Sequence, residues 1–111
     1  MLKSIIVDCL AKVKAKNILC YNMEGYSPFY DKMIIASVDV ERQATAVIGY
    51  LEEELNKAGF KIRSVEGANT SWVLVDCYDI VVSIFTSEER NHFALEKLYL
   101  EFPCENISFN I

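Results

Sequence analysis

Apolar and polar positions recur along this chain in two rhythms, and each rhythm marks an element. Leu2, Ile5, Ile6, Cys9, Leu10 and Val13 fall at three- and four-residue spacing, so residues 4–15 read as a helix with Lys12 and Lys14 off its apolar stripe. Asn17 to Met23 is a strand rich in apolar and aromatic side chains, and Glu24-Gly25-Tyr26-Ser27-Pro28 has the chemistry of a loop. Lys32 to Val38 holds the continuous apolar run Met33-Ile34-Ile35-Ala36, which suits a strand covered on both faces. Asp39 is then placed as an N-cap. Ala44, Val47, Ile48, Leu51, Leu55 and Ala58 form the clearest helical stripe, over residues 40–58. Glu52, Glu53, Glu54 and Lys57 face away from it, Gly49 inside it would permit close helix packing, and Gly59 is placed to end it in a left-handed conformation.

The second half of the chain switches to short β-type runs. Lys61 to Glu66 is a strand with Ile62 and Val65, so residues 32–65 make a strand–helix–strand unit, expected as a right-handed crossover with parallel strands. After a polar loop at 67–71 come Trp72-Val73-Leu74-Val75 and Ile80-Val81-Val82-Ser83-Ile84-Phe85. Their connector, Asp76-Cys77-Tyr78-Asp79, is short enough for an antiparallel hairpin but lacks the glycine that tight turns prefer. Ser87 is placed to cap a last helix starting at Glu88, with Phe93, Leu95, Leu98 and Tyr99 as its mixed apolar face and Pro103 at its end. The order αββαβββα predicts an α/β fold: one domain, with a mixed sheet of about five strands and flanking helices. The tail beyond Pro103 carries no assignment.

Composition fits that picture. With 111 residues, 52% hydrophobic and 24% charged, the chain suits one globular core that buries roughly two-thirds of its unfolded surface. No apolar stretch approaches the ~20 residues of a membrane span, and the run Ile5-Ile6-Val7 is too short for a signal-peptide core; a cytoplasmic protein is expected. Cys9, Cys20, Cys77 and Cys104 form no CxxC pair, and His92 is the single histidine, so buried reduced thiols are expected rather than a zinc site. The net charge of −5 counts against nucleic-acid binding. Lys3, Lys12, Lys14 and Lys16 are the only basic concentration, and read as a solvated face.

Candidate chemistry is sparse. The glycines Gly25, Gly49, Gly59 and Gly67 are isolated, so neither a P-loop nor a dinucleotide fingerprint is present. His92 sits among surface-type residues with no nucleophile arranged around it. Asp31, Asp39 and Glu41 offer oxygen ligands for a divalent metal, but Asp39 reads better as a cap and Glu41 as a first-turn acid. No cofactor is expected. The hairpin region is richer: Glu66, Asp76, Asp79, Glu88 and Glu89 lie near Trp72 and Phe85 in sequence. Acids around a large aromatic suit a basic partner; a purely core Trp72 fits the composition equally well.

Read together, Val65-Glu66-Gly67, Trp72-Val73-Leu74-Val75-Asp76, Asp79-Ile80-Val81-Val82, Arg90 and Leu95-Glu96-Lys97-Leu98 resemble the signature of the ribosomal silencing factor family, the Iojap-related proteins. Gly25, Asp31, Ile35-Ala36 and Arg42-Gln43 extend the resemblance upstream, so that it covers residues 2–103. The chain departs from the family pattern at Tyr78, where a glycine is usual, and at Ser83, where a histidine is common. It departs also at Val38 and Val40, which replace small residues, at His92-Phe93, where an aromatic pair is usual, and at Asn17 and Asn22, often aspartates.

The resemblance implies a fold like that of nucleotidyltransferases but without catalysis, since the Gly-Ser loop of those enzymes is missing. It implies a protein that binds the large ribosomal subunit through its fourteenth universal ribosomal protein and sterically blocks joining of the small subunit. The contact residues it implies are Trp72, Asp76, Asp79, Phe85 and Arg90, with Glu66, Glu96 and Lys97 nearby. It also implies a homodimer that competes for part of the same surface. The rival expectations are a nucleotidyltransferase-type enzyme and a general RNA-binding module.

Overall fold

Every side chain from Met33 to Val38 is buried, and the rest of the chain is arranged to bury it. A computed structural model of the protein describes residues 1–93, 97 and 99–107. Its elements are α1 (Leu2–Lys12), β1 (Lys16–Asn22), β2 (Lys32–Val38), α2 (Glu41–Lys57), β3 (Ser64–Glu66), β4 (Trp72–Asp76), β5 (Ile80–Thr86), α3 (Ser87–Phe93) and β6 (Cys104–Ile107). The strands form one sheet in the order β3-β4-β5-β2-β1-β6. β2 and β5 pair in parallel at its centre, from Lys32 beside Ile80 to Val38 beside Thr86, and every other neighbouring pair is antiparallel.

β5 is buried from Ile80 to Phe85, so the two central strands read as unbroken apolar runs because water reaches neither of their faces. On one face, Ile6, Cys9 and Leu10 of α1 and Ala44, Val47, Leu51 and Leu55 of α2 pack with Ile18, Ile34, Ala36, Val73, Val75, Val82 and Ile84 of the sheet. On the other, Tyr21, Met23, Met33, Ile35, Val81 and Phe85 are buried, with Tyr30, Tyr99 and Phe102 packed beside them. Alternation along each strand sorts side chains between the two layers.

The expected architecture holds: a single α/β domain with a mixed sheet flanked by helices. The differences are local and have physical causes. There are six strands rather than five, because Cys104–Ile107 pairs antiparallel with β1 in the tail that carried no assignment. Its residues are mostly exposed, so no apolar rhythm announces it. The strand expected from Lys61 begins only at Ser64. β2 and β3 run parallel, as the pairing directions require, but β4 and β5 lie between them. Asp39 does not cap α2; its carboxylate pairs with Lys16 Nζ at 2.6 Å. Gln43 instead accepts from the amides of Asp39 and Val40 at 3.0 and 2.9 Å and donates to the carbonyl of Val13, joining the two helices. α3 starts at Ser87, not Glu88, and Thr86 Oγ1 accepts from the amide of Glu89. Leu95 and Leu98 of the expected helical face lie outside the described residues.

Gly59 ends α2 at φ +85, with the amides of Gly59 and Phe60 donating to the carbonyls of Asn56 and Leu55, the Schellman arrangement. Tyr78 fills the turn between β4 and β5 at φ +70, a conformation that costs a bulky L-residue about 1–2 kcal/mol. Cys9, Cys20 and Cys77 are buried free thiols, whereas Cys104 is exposed, contrary to expectation. Burial, aided by Asp76, pushes the Cys77 thiol up to about 12.

The expectation that Gly49 permits close helix packing fails: the residue is exposed, and a Cβ added there would meet nothing within 4 Å. Its flexibility therefore only weakens α2. Gly49→Ala will stabilise the protein by about 0.5–1 kcal/mol, read as a higher urea midpoint; a lowered midpoint would show a packing role at this position after all.

Candidate interaction face

Register decides which expected contact residues meet. Directly paired residues share a face of the sheet, and the pairs are Trp72 with Phe85, Leu74 with Ser83, Asp76 with Val81, Glu66 with Leu74 and Ser64 with Asp76. Glu66, Trp72, Leu74 and Asp76 thus line one surface, opposite α1 and α2. Trp72 is half-buried and stacks on Phe85 with ring centroids 4.8 Å apart and planes 24° apart. Leu74 and Asp76 are half-buried and Glu66 is exposed. The outcome is an apolar strip of Trp72 and Leu74, with Asp76 at one end and Glu66 beside Leu74.

Several expected contact residues sit elsewhere. Phe85 is fully buried; it holds Trp72 from below and presents nothing to a partner. Arg90 is 7% exposed. Its Nη1 donates to the carbonyl of Asn17 and to Ser37 Oγ at 2.8 Å, so it fastens α3 to β1 and β2. Asn17 has φ +52 and lies at an irregularity in the β1–β2 register; such irregularities re-aim backbone groups, and here a carbonyl meets the guanidinium. Asp79 is exposed in the β4–β5 turn. Lys97 is exposed, and Glu96 lies outside the described residues. Leu74 was not singled out by sequence reasoning, although its place two residues from both Trp72 and Asp76 put all three on one side of the strand.

The loop before β4 fixes Trp72. Gly67 has φ +76, and a Cβ there would stand 2.1 Å from the carbonyl oxygen of Trp72. Thr70 Oγ1 donates to the carbonyl of Gly67 at 2.6 Å and accepts from the Trp72 amide at 3.3 Å. The amide of Asn69 donates to Thr45 Oγ1 of α2 at 3.0 Å, tying the loop to the helix layer. Ser71 Oγ donates to the carboxylate of Glu89 in α3.

A cleft of about 1090 Å³ opens at the carboxyl ends of β2 and β5, where α/β sheets commonly bind ligands. Asp39, Glu41, Glu88 and Glu89 line it against Arg42 and His92, a balance that repels a polyphosphate. Among the described residues, no three His, Cys, Asp or Glu side chains converge as metal ligands would. Three of the four lysines near the N-terminus are engaged by the chain's own acids: Lys3 with Glu105, Lys12 with Glu54 at 3.4 Å, and Lys16 with Asp39. No helix among the described residues is long and apolar enough to cross a membrane.

Fold and face together define a class of small α/β domain built to present a surface. The family model described as "Ribosomal silencing factor during starvation" matches residues 2–110. The chain is 31% identical to Ribosomal silencing factor RsfS of Bacillus subtilis (strain 168) over 99 residues, covering 88% of this chain and 84% of that one. It is 33% identical to the Haemophilus influenzae protein of the same name, covering 88% and 97%. A crystal structure of a Chromobacterium violaceum protein superposes with a TM-score of 0.83 at 27% identity, over 99% of this chain and 90% of that chain. One of a Bacillus halodurans protein gives 0.81 at 31%, over 96% and 97%. The chain belongs to the ribosomal silencing factor family.

Because Gly67 touches the backbone of Trp72, the loop and the face are coupled. Gly67→Ala will lower stability by about 1–3 kcal/mol and shift the emission of Trp72, the only tryptophan in the chain. Unchanged emission and melting would show that the loop does not position the indole.

Proposed function

We propose that this chain represses translation by binding the large ribosomal subunit through its fourteenth universal ribosomal protein and sterically blocking joining of the small subunit. The observation that carries the reading is the Trp72–Phe85 stack, presented on a half-open sheet face that continues through Leu74 to Glu66 and Asp76. A rigid aromatic beside acids is a common anchor for a basic protein surface. The net charge of −5 and the internally paired lysines favour a protein partner over bare RNA.

On this reading Trp72 and Leu74 supply apolar contact. Glu66, Asp76 and Asp79 meet lysines and arginines of the partner, and Glu96 and Lys97 lie at the margin. Phe85 and Arg90 act from beneath, by holding Trp72 and the β1–β2–α3 corner in place. The protein works in the cytoplasm without catalysing a reaction, and a second copy of the chain competes for part of the same face as a homodimer.

Light scattering of mixed ribosomal subunits tests the reading directly. Protein preincubated on the large subunit will suppress the rise that reports joining; an unchanged rise at saturating protein would sink the proposal. Trp72→Ala will weaken large-subunit binding by about 2 kcal/mol or more, measured by equilibrium titration on a variant shown to be folded. Normal binding by that variant would return Trp72 to a purely internal role.

A further inference from the structure

The apolar surface continues past Asp76 to the end of the sheet, where two loops meet. The amides of Asp31 and Lys32, at the close of the β1–β2 loop, both donate to the carbonyl of Asp79 in the β4–β5 turn, at 2.7 and 3.1 Å. Four aromatic side chains are exposed among the described residues, and three of them stand on these joined segments: Tyr26 at 63%, Phe29 at 80% and Tyr78 at 52%. The fourth, Tyr50, already lies under Lys12 of its own chain. Tyr26 packs edge-on against Phe102, centroids 5.0 Å apart. Phe102 packs against the apolar layer that also holds Phe85 and Trp72, so Tyr26 connects this end of the sheet to the Trp72 face.

Their arrangement runs against the interests of folding alone. Exposed rings are unfavourable in water, and Tyr78 holds its ring there from a left-handed backbone position that a glycine would adopt without strain. The surrounding charge indicates what fits. Glu24, Asp31 and Asp79 are exposed, and among the described residues no lysine or arginine pairs with Asp31 or Asp79. The nearby cations are otherwise placed. Lys32 pairs with Glu24 at 3.5 Å, and Arg63 lies 5.9 Å from the centroid of the Tyr78 ring. Tyr78, like Tyr50, thus has a cation of its own chain over its ring, and a partner's guanidinium would replace Arg63 or use the other face.

We infer that Tyr26, Phe29 and Tyr78, with Asp31 and Asp79, form a second contact for a lysine- or arginine-bearing protein segment of the large subunit. The inference rests on the function proposed above and extends it from a single tryptophan anchor to a two-part interface. The rings receive the methylene stems and cationic heads of such side chains, and the carboxylates neutralise their charge. A phosphate backbone is repelled by the same carboxylates.

Titration of purified large subunits at two salt concentrations tests this with four proteins: the natural chain, Phe29→Ala/Tyr78→Gly, Asp31→Asn/Asp79→Asn and Trp72→Ala. Glycine at 78 removes the ring while relieving the backbone, and the Asp79 carbonyl survives the change to asparagine; melting curves verify each fold. The ring variant will bind about tenfold or more weakly, and the acid variant will bind more weakly with a flatter salt dependence. A ring variant that binds like the natural chain overturns the inference, and loss of binding by Trp72→Ala beside it leaves the proposed function standing. An acid variant with unchanged salt dependence overturns the cationic partner. Failure of the natural chain to bind overturns both readings.

Discussion

The parallel contact between β2 and β5 is the constraint from which the rest of the molecule follows. Both strands carry apolar residues at nearly every position, so both faces of the sheet centre must be shielded. α1 and α2 shield one face completely. The other is shielded at its middle by Tyr30, Tyr99 and Phe102, and the cover thins toward β4. That unevenness creates the interaction face: Trp72 and Leu74 belong to the same layer as the buried Phe85 and Ile35, but lie where the cover ends.

The same constraint explains what the sequence revealed. Long runs and stripes were legible because burial demands them, as in β2, β5 and α2. Elements held mainly by backbone pairing were not. β6 has exposed side chains and owes its existence to hydrogen bonds with β1, and β3 is only three residues long. Caps were misplaced for a related reason. Asp39 is chemically an excellent cap, but Lys16 lies within reach in space though far away in sequence.

The face was half legible. Strand alternation alone puts Trp72 and Asp76 on one side of β4, whereas Glu66 joins them only through the β3–β4 register, which no local pattern shows. Phe85 and Arg90 looked like contact residues because the resemblance marks positions without saying whether they act at the surface or below it. Arg90 illustrates the second case: its Nη1 meets a backbone carbonyl and a hydroxyl beneath the surface. The charge distribution was legible only as a total. The net of −5 says nothing about which lysines are already matched, whereas the structure leaves acids near Trp72 and ties Lys3, Lys12 and Lys16 to acids elsewhere.

The spacing of the central pair along the chain also governs how the protein comes into being. β2 is complete at Val38, but the strand it must lie beside begins at Ile80, with a whole helix and two further strands made in between. A growing chain that has passed β2 holds an apolar ribbon whose proper neighbour does not yet exist, and such ribbons invite wrong partners. Because the missing neighbour contributes side chains to both layers, neither layer is complete before Thr86 is made. Closure of the core therefore waits for the chain to pass residue 86, and a copy cut before it lacks the central strand that both layers share.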